Sequence, residues 1–577
     1  MEARLKRFLG QVVLRSATLK RLSHWYASRN TKPNPDWRRI LSADRELWDK
    51  ALKAAENGPR ILIASSNGWE LPALSLEGSL AAALTLRGAN VHFLLCDELL
   101  PACQACIISF YPDQKQFARH GPSRDICKWC FKTGLAIYRP LGLPVHRYGD
   151  FISPQDRQNA AKISATLPLD EINQYTLDGI AVGEHAMAGA LRFYARGTLE
   201  NEPHAEPILR RYFRAALLAT YAVRRLLASE NFECAVFHHG IYVPQGLVGE
   251  ACRRMKVRVV NECAAYRKTC FIFSHGDTYH HTLMNEPTTK WESIKWNPEI
   301  DAEIGDYLKS RWYGTRDWVF FQEKPVEDLN EIARQLGVDF SRPTIGMLTN
   351  VMWDAQLHYP ANAFPGMLDW VLQTISYFSR RPDLQLLIRV HPAEILGVVP
   401  SRQPIVDEVK KAFPDLPKNV FIIPPESKAS TYAAMQQCDA VIIYGTKTGV
   451  ELTAMGIPVV AAGEAWIRNK GVTMDVSSAS DYFRLLDGLP LRKRLEEATI
   501  NRARKYAYHF FFRRMIPLEF MAPTGTRPIY QNRLSSLEEL LPGRSRGLDV
   551  ICDGILEGKD FIYPAEEYRN TPPVSTV

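Results

Sequence analysis

Two short constellations carry the residue types needed to hold a phosphate. Arg389-Val390-His391-Pro392 closes one apolar run, with Glu394 just beyond it. Gly445-Thr446-Lys447-Thr448-Gly449 closes another, with Glu451 two residues later. A guanidinium and an imidazole at a strand end place two donors where an anion would sit. His391 is suited to a phosphate, a ribose hydroxyl or a base, or else is a satisfied histidine at a sheet edge. The glycine turn opens a helix whose N–H groups and dipole favour a phosphate, with two threonines and a lysine as further donors. The G-x-x-x-x-G-K-[ST] spacing of a Walker loop is absent, and such a turn is also compatible with a plain tight connection. Glu451 is placed to accept from ribose hydroxyls, or is a solvated helix residue.

The elements around them explain the placement. Between Asp383 and Asp475 three apolar runs (DLQLLIRV, NVFII, AVIIY) alternate with helical patterns and end in polar, proline or glycine residues. That is the pattern of parallel strands joined by helices, whose ligands lie beyond the carboxyl ends of the strands. A further strand, TIGMLTN from Thr344, ends in Asn350 to Ala355, where Trp353 has a ring to stack and Asp354 a carboxylate to bond a hydroxyl. An earlier half repeats the alternation. RILIAS (Arg60–Ser65), a helix over 74–87 and a strand over 91–96 open it, and CAVFHHG, a helix over 245–255 and VRVVNE continue it. FIFSHGD completes it. Its strand ends carry His238, His239, Tyr242, Glu262 and His275, an acceptor side for the cleft. Glu184, in AVGEHAMAG, supplies a carboxylate suited to a base or nucleophile, or a helix cap. No D-x-D occurs, so no carboxylate pair of that form is present to hold a metal–diphosphate.

Four of the eleven cysteines form two pairs, Cys103-x-x-Cys106 and Cys127-x-x-Cys130. Two CxxC pairs about 20 residues apart suit a structural zinc site. An iron–sulfur cluster is the alternative, and unligated thiols the plain one. Four thiolates would leave zinc no open position, so no catalytic metal is expected.

With 577 residues the chain is too long for one ordinary core. No apolar run reaches the roughly 20 residues that span a bilayer, and no secretory signal is visible, which predicts a cytoplasmic protein. Much of the net charge of +8 lies in residues 1–30, where Arg4, Lys6, Arg7, Arg15, Lys20, Arg21 and Arg29 face Glu2 alone. Apolar residues recur there at helical spacing. The segment reads either as a peripheral contact with the cytoplasmic face of an anionic inner membrane or as a helix docked on the protein's own body. The basic bias does not continue through the body, which argues against nucleic acid.

The second half resembles the capsule polysaccharide biosynthesis proteins, GT-B glycosyltransferases that include Kdo transferases. The resemblance rests on RVHPAE (Arg389–Glu394), GTKTGVELTAMGIPVVAAGE (Gly445–Glu464), RNKGVTMD (Arg468–Asp475) and TNVMWDAQLHYP (Thr349–Pro360). It implies that His391 and Pro392 hold a nucleotide, and that Thr446, Thr448 and Glu451 contact phosphate or ribose. The cysteine pairs are not part of that pattern, and Gly471-Val472-Thr473 stands where the family has G-L-T.

The expected fold is therefore α/β and GT-B-like, two Rossmann-like domains facing across a cleft, with a four-cysteine metal-binding insertion and helical termini. The basic helix covers 1–40, the acceptor domain 41–330 with its insertion at 97–135, the donor domain 331–500, and terminal helices and a tail 501–577. The expected function is transfer of a sugar from a nucleotide-activated donor, a CMP-sugar such as CMP-Kdo favoured, to a surface-glycan or lipid-linked acceptor. Glu184, His239 and Asp354 are the candidate catalytic groups. The donor would be held by Arg389, His391, Pro392, Glu394, Gly445 to Gly449 and Glu451. Polyol-phosphate transfer and sugar-nucleotide epimerisation are the enzymatic alternatives, and a binding scaffold the non-enzymatic one.

Overall fold

A computed structural model describes residues 34–321, 324–355, 357, 359–397, 399–524 and 529–569. The basic segment over 1–30 lies outside them. Among the described residues no helix is long and apolar enough to cross a membrane.

The first sheet is built from β1 (Arg60–Ser66), β2 (Asn90–Leu95), β3 (Val145–Arg147), β4 (Cys234–His238) and β5 (Arg258–Ala264). These run parallel in the order β3-β2-β1-β4-β5. Their apolar runs are continuous rather than alternating because helices cover both faces. The helix Leu71–Leu86 shows the same logic, being buried from Ala73 to Thr85 with no polar face. β6 (Cys270–His275) turns back antiparallel on β5, with Val260 opposite His275.

The second sheet contains β7 (Thr344–Leu348), β8 (Gln385–Arg389), β9 (Val420–Ile423), β10 (Ala440–Ile443), β11 (Val459–Ala461) and β12 (Met474–Asp475). All run parallel in the order β9-β8-β7-β10-β11-β12. Each sheet thus reverses its winding direction once, between β1 and β4 in the first and between β7 and β10 in the second. In open α/β sheets the ligand crevice opens at that switch point, beyond the carboxyl ends.

The terminal helices do not stay with the second half. The helix Glu497–Tyr508 packs on the second core, and β13 (Ile516–Pro517) then joins the first sheet antiparallel to β6. The helix Arg546–Glu557 buries Leu548, Ile551, Cys552 and Ile555 in the core beneath that sheet. Arg514 pins the crossing. It is buried, donates to the carbonyls of Phe561 (2.6 Å) and Phe273 (3.0 Å), and lies 3.5 Å from Glu286. Arg514→Ala would strand two carbonyls and leave Glu286 with His509 alone. It is expected to lower unfolding stability by about 3–5 kcal/mol in denaturant titration; a loss under about 1 kcal/mol would contradict this role.

Candidate active site

The carboxyl ends of both sheets face one cavity of about 470 Å³. Strand ends of the second half supply Asn350, Arg389, His391, Pro392, Gly445, Thr446, Lys447, Thr448 and Glu464. The first half supplies His239, Tyr266, Tyr279, His280 and Arg311.

His391 is the best-defined donor. Its Nδ1 accepts the Ala393 N–H at 3.0 Å, so the proton of the neutral ring sits on Nε2. Burial, with Lys447 and Arg389 nearby, holds the ring at about 4, and so neutral at physiological pH. Pro392 lines the cavity and begins the turn that carries Ala393 into this bond.

The glycine turn owes its shape to a carboxylate beneath it. Glu451 is fully buried and accepts from the Tyr432 hydroxyl. It pairs with Lys447 (3.2 Å) and with Arg311 (3.1 Å), which also pairs with Asp317. Burial alone would raise its pKa, but Arg311 and Lys447 pull it down to about 2. Glu451 does not line the cavity. It presents two cations to it, and the expected ribose contact is replaced by this organising role. Arg311 ends the helix Pro298–Arg311, which starts on an Asn297 cap. Sequence reasoning missed it because nothing in its local sequence points to a carboxylate met only after folding. Thr446 Oγ1 accepts the Thr448 N–H at 3.4 Å, closing the turn. The helix that follows is only Thr448–Ala454, and Gly449 is buried in it rather than open to the cavity.

Other expected residues have other partners. Arg389 touches the cavity, but its guanidinium donates to the carbonyls of Pro424 (2.6 Å) and Ser427 (3.3 Å) and to Thr431 Oγ1 (3.2 Å). It contributes charge more than free donors. Glu394 is buried off the cavity, accepts the Ile405 N–H at 3.3 Å, and is raised to about 7 by burial. It is a structural residue. His275 faces away from the cleft altogether. β6 is antiparallel, so its carboxyl end lies at the amino end of the parallel strands, where His275 stacks on Phe561 and bonds the Lys559 carbonyl. Glu184 sits in the first turn of the helix Val182–Tyr194, outside the cavity lining.

Asp354 lines the cavity and accepts from the Tyr242 hydroxyl at 2.7 Å, a contact between the two halves. His239 holds a left-handed backbone (φ 64°), and its Nδ1 has no hydrogen-bond partner among the described residues. Burial and His238 keep it neutral. His238 instead pairs with the buried Glu262 at 2.9 Å; against burial, Glu262 raises it to about 9. Neither His238 nor Glu262 lines the cavity.

The four-cysteine metal site finds no support. Among the described residues no group of three or more His, Cys, Asp or Glu is placed to hold a metal ion. Cys103, Cys106, Cys127 and Cys130 are all free thiols, and Cys130 Sγ accepts the Gly68 N–H at 3.1 Å.

A second contact between the halves lies at the cavity rim. His281 bonds Asp277 through Nδ1 (2.9 Å) and lies 3.3 Å from Glu464 through Nε2. Those two carboxylates, Asp277 first, raise it to about 10.

Residues 333–506 match the family described as capsule polysaccharide biosynthesis protein. No curated protein matches the chain. Among solved structures, a beta Kdo 2,4 transferase, KpsC of Thermosulfurimonas dismutans, is 12% identical, with a TM-score of 0.33 over 54% of this chain and 88% of that one. The UDP-GlcNAc 2-epimerase of Neisseria meningitidis is 10% identical, with a TM-score of 0.22 over 77% and 94%. A glycosyltransferase of Rickettsia africae is 12% identical, with a TM-score of 0.24 over 78% and 93%. With TM-scores this low, the functional reading rests on the family match and the cavity itself.

Two outcomes follow. Glu451→Gln leaves Arg311 and Lys447 buried beside a neutral group and is expected to cost about 3–5 kcal/mol of unfolding stability. A ribose-binding role would instead weaken nucleotide binding at unchanged stability. For His281, a value raised on folding stabilises the contact fully below its unfolded value of about 6.5. That contribution is lost as pH climbs through about 10. The melting temperature of the wild type should therefore fall more between pH 7 and 10 than that of His281→Gln; parallel profiles would remove His281 from the closure.

Proposed function

We propose that the chain is a glycosyltransferase of capsule-type polysaccharide synthesis, binding a nucleotide-activated sugar through its second half and a glycan acceptor through its first. The observation that carries this reading is the cavity at the second sheet's switch point, where the neutral Nε2–H of His391 and the Lys447 ammonium share one wall. This wall lies within the stretch that matches the family.

A donor with one phosphate, as in a CMP-sugar, suits this wall best because its cations are largely paired already. Arg311 and Lys447 pair with the buried Glu451, Arg311 also with Asp317, and Arg389 donates to carbonyls, while Asp354 and Glu464 add carboxylates to the lining. A diphosphate would bring more negative charge than the wall has unpaired cations to meet. Lys447 Nζ also lies 4.7 Å from the centroid of the Tyr266 ring, a cation–π contact from the first half.

In the transfer, an acceptor hydroxyl attacks the anomeric carbon and the bond to the phosphate oxygen breaks. The leaving phosphate gains charge, which Lys447 and the His391 N–H stabilise without reorganising, because Glu451 and the Ala393 N–H already fix them. The acceptor proton needs a base on the opposite wall. His239 is neutral, lines the cavity and has a ring nitrogen with no partner among the described residues, so it suits that task better than Asp354, which Tyr242 already engages. The contacts that join the halves keep water from the donor.

His391→Ala should weaken CMP binding by about ten-fold in calorimetry, the worth of one hydrogen bond to a charged group, with folding intact. CMP should bind more tightly than CDP or UDP. Equal binding of CMP by wild type and variant would move the nucleotide elsewhere.

A further inference from the structure

The nucleotide reading leaves one group on the first-half wall of the cavity unused. His280 lies in the first turn of the helix Tyr279–Asn285, one residue before the His281 that bridges Asp277 and Glu464. The two neighbours divide two tasks: His281 closes the seam between the halves, and His280 lines the cavity. The His280 ring is fixed by other rings. It stacks on Tyr279 at 4.3 Å and 30°, and leans on Trp466 of the second half at 5.3 Å and 36°. Neither ring nitrogen has a hydrogen-bond partner among the described residues, and neither is sealed from solvent. Burial, with His281 beside it, lowers its pKa to about 4, so at neutral pH it offers one lone pair and one N–H.

The second half brings a matching group to the same place. Asn362 also lines the cavity, and its Oδ1 accepts the Glu464 N–H at 2.8 Å. That bond orients the amide, because an N–H needs the oxygen, and leaves the Nδ2 donors turned away from it. Nδ2 has no hydrogen-bond partner among the described residues and is likewise not sealed from solvent. Glu464 ties the two groups together. Its N–H holds Asn362, its carboxylate lies 3.3 Å from His281, and Trp466, two residues on, meets the His280 ring. An imidazole from one half and an amide donor from the other suit a hydroxylated ring, whose hydroxyls both give and take hydrogen bonds. The local charge selects the kind of ring. Glu464 and Asp354 are carboxylates of the cavity lining, while His281, set between Asp277 and Glu464, is outside it. A phosphate or an acidic sugar would meet like charges here; an uncharged pyranose would not.

We propose that His280 and Asn362 are the acceptor-binding pair of this site, gripping an uncharged pyranose of a glycan across the seam between the halves. This deepens the transferase reading and rests on it. It places the acceptor against the wall that carries His239, the proposed base.

The test uses the full chain on an array of bacterial capsular and lipopolysaccharide-core oligosaccharides. Binding to the strongest oligosaccharide is then measured by saturation-transfer NMR, with CMP and CMP-N-acetylneuraminic acid titrated separately. His280→Phe keeps a ring to stack on Tyr279 and Trp466 but removes both nitrogens. Asn362→Asp keeps the oxygen that holds the Glu464 N–H but removes the donors. Each is expected to weaken oligosaccharide binding by about ten-fold, the worth of one hydrogen bond, at an unchanged melting temperature and with CMP binding within about two-fold. His280→Ala, run beside them, is expected to weaken oligosaccharide binding as the phenylalanine variant does. Oligosaccharide binding unchanged in either His280→Phe or Asn362→Asp would overturn the pair, as would no binding of wild type to any oligosaccharide. Loss that appears only with a lowered melting temperature, in the phenylalanine as in the alanine variant, would mark His280 as structural and overturn it too. So would weakened binding of CMP-N-acetylneuraminic acid with CMP and oligosaccharide unchanged, which would give the pair to the donor sugar. Failure of wild type to bind CMP would instead sink the nucleotide reading and leave the oligosaccharide result to judge the pair.

Discussion

A buried carboxylate with no access to water must find cations, and Glu451 finds two. This one constraint gathers three segments far apart in the chain. The helix ending in Arg311, the turn bearing Lys447 and the helix bearing Tyr432 all converge on it. Without the carboxylate, two cations would face one another in a dry site at high cost. With it, they are fixed before any anion arrives, which is the condition for electrostatic help in a transfer reaction.

The geometry of the sheets supplies the rest. Both wind in the same order and both reverse once, so their carboxyl ends confront each other across one cavity. His281 bridges Asp277 and Glu464 across the rim, and Tyr242 reaches Asp354. The return of the chain through β13 ties the last helices to the first core. The cavity is thus bounded by two layers that are separate sheets but share helices at one end.

Much of this was legible in the sequence because it is local. Apolar runs bounded by glycine, proline and polar residues mark β1, β2, β4, β5, β7, β8 and β10, and the cavity does collect His391, Lys447 and Thr448 at their ends. What was not legible depends on pairing across the chain. The run FIFSH reads as a strand, but nothing in it says that it turns back, so His275 was placed on the wrong side. Arg389 and Glu451 have the right types in the right places, yet carbonyls claim one and buried cations the other. Arg311 was hidden because its role depends on a carboxylate met only after folding. The CxxC spacing suggests a metal, for which no ligand group is placed among the described residues.

The central claim is that the nucleotide of the donor sits at the switch point of the second sheet, its phosphate against the glycine turn. A crystal structure with CMP tests it most directly. The account predicts the phosphate within hydrogen-bonding distance of His391 Nε2 and Lys447 Nζ, with Glu451 still pairing Lys447 beneath. CMP bound at the first sheet's switch point, beside Trp69, or with its phosphate on neither group, would contradict it.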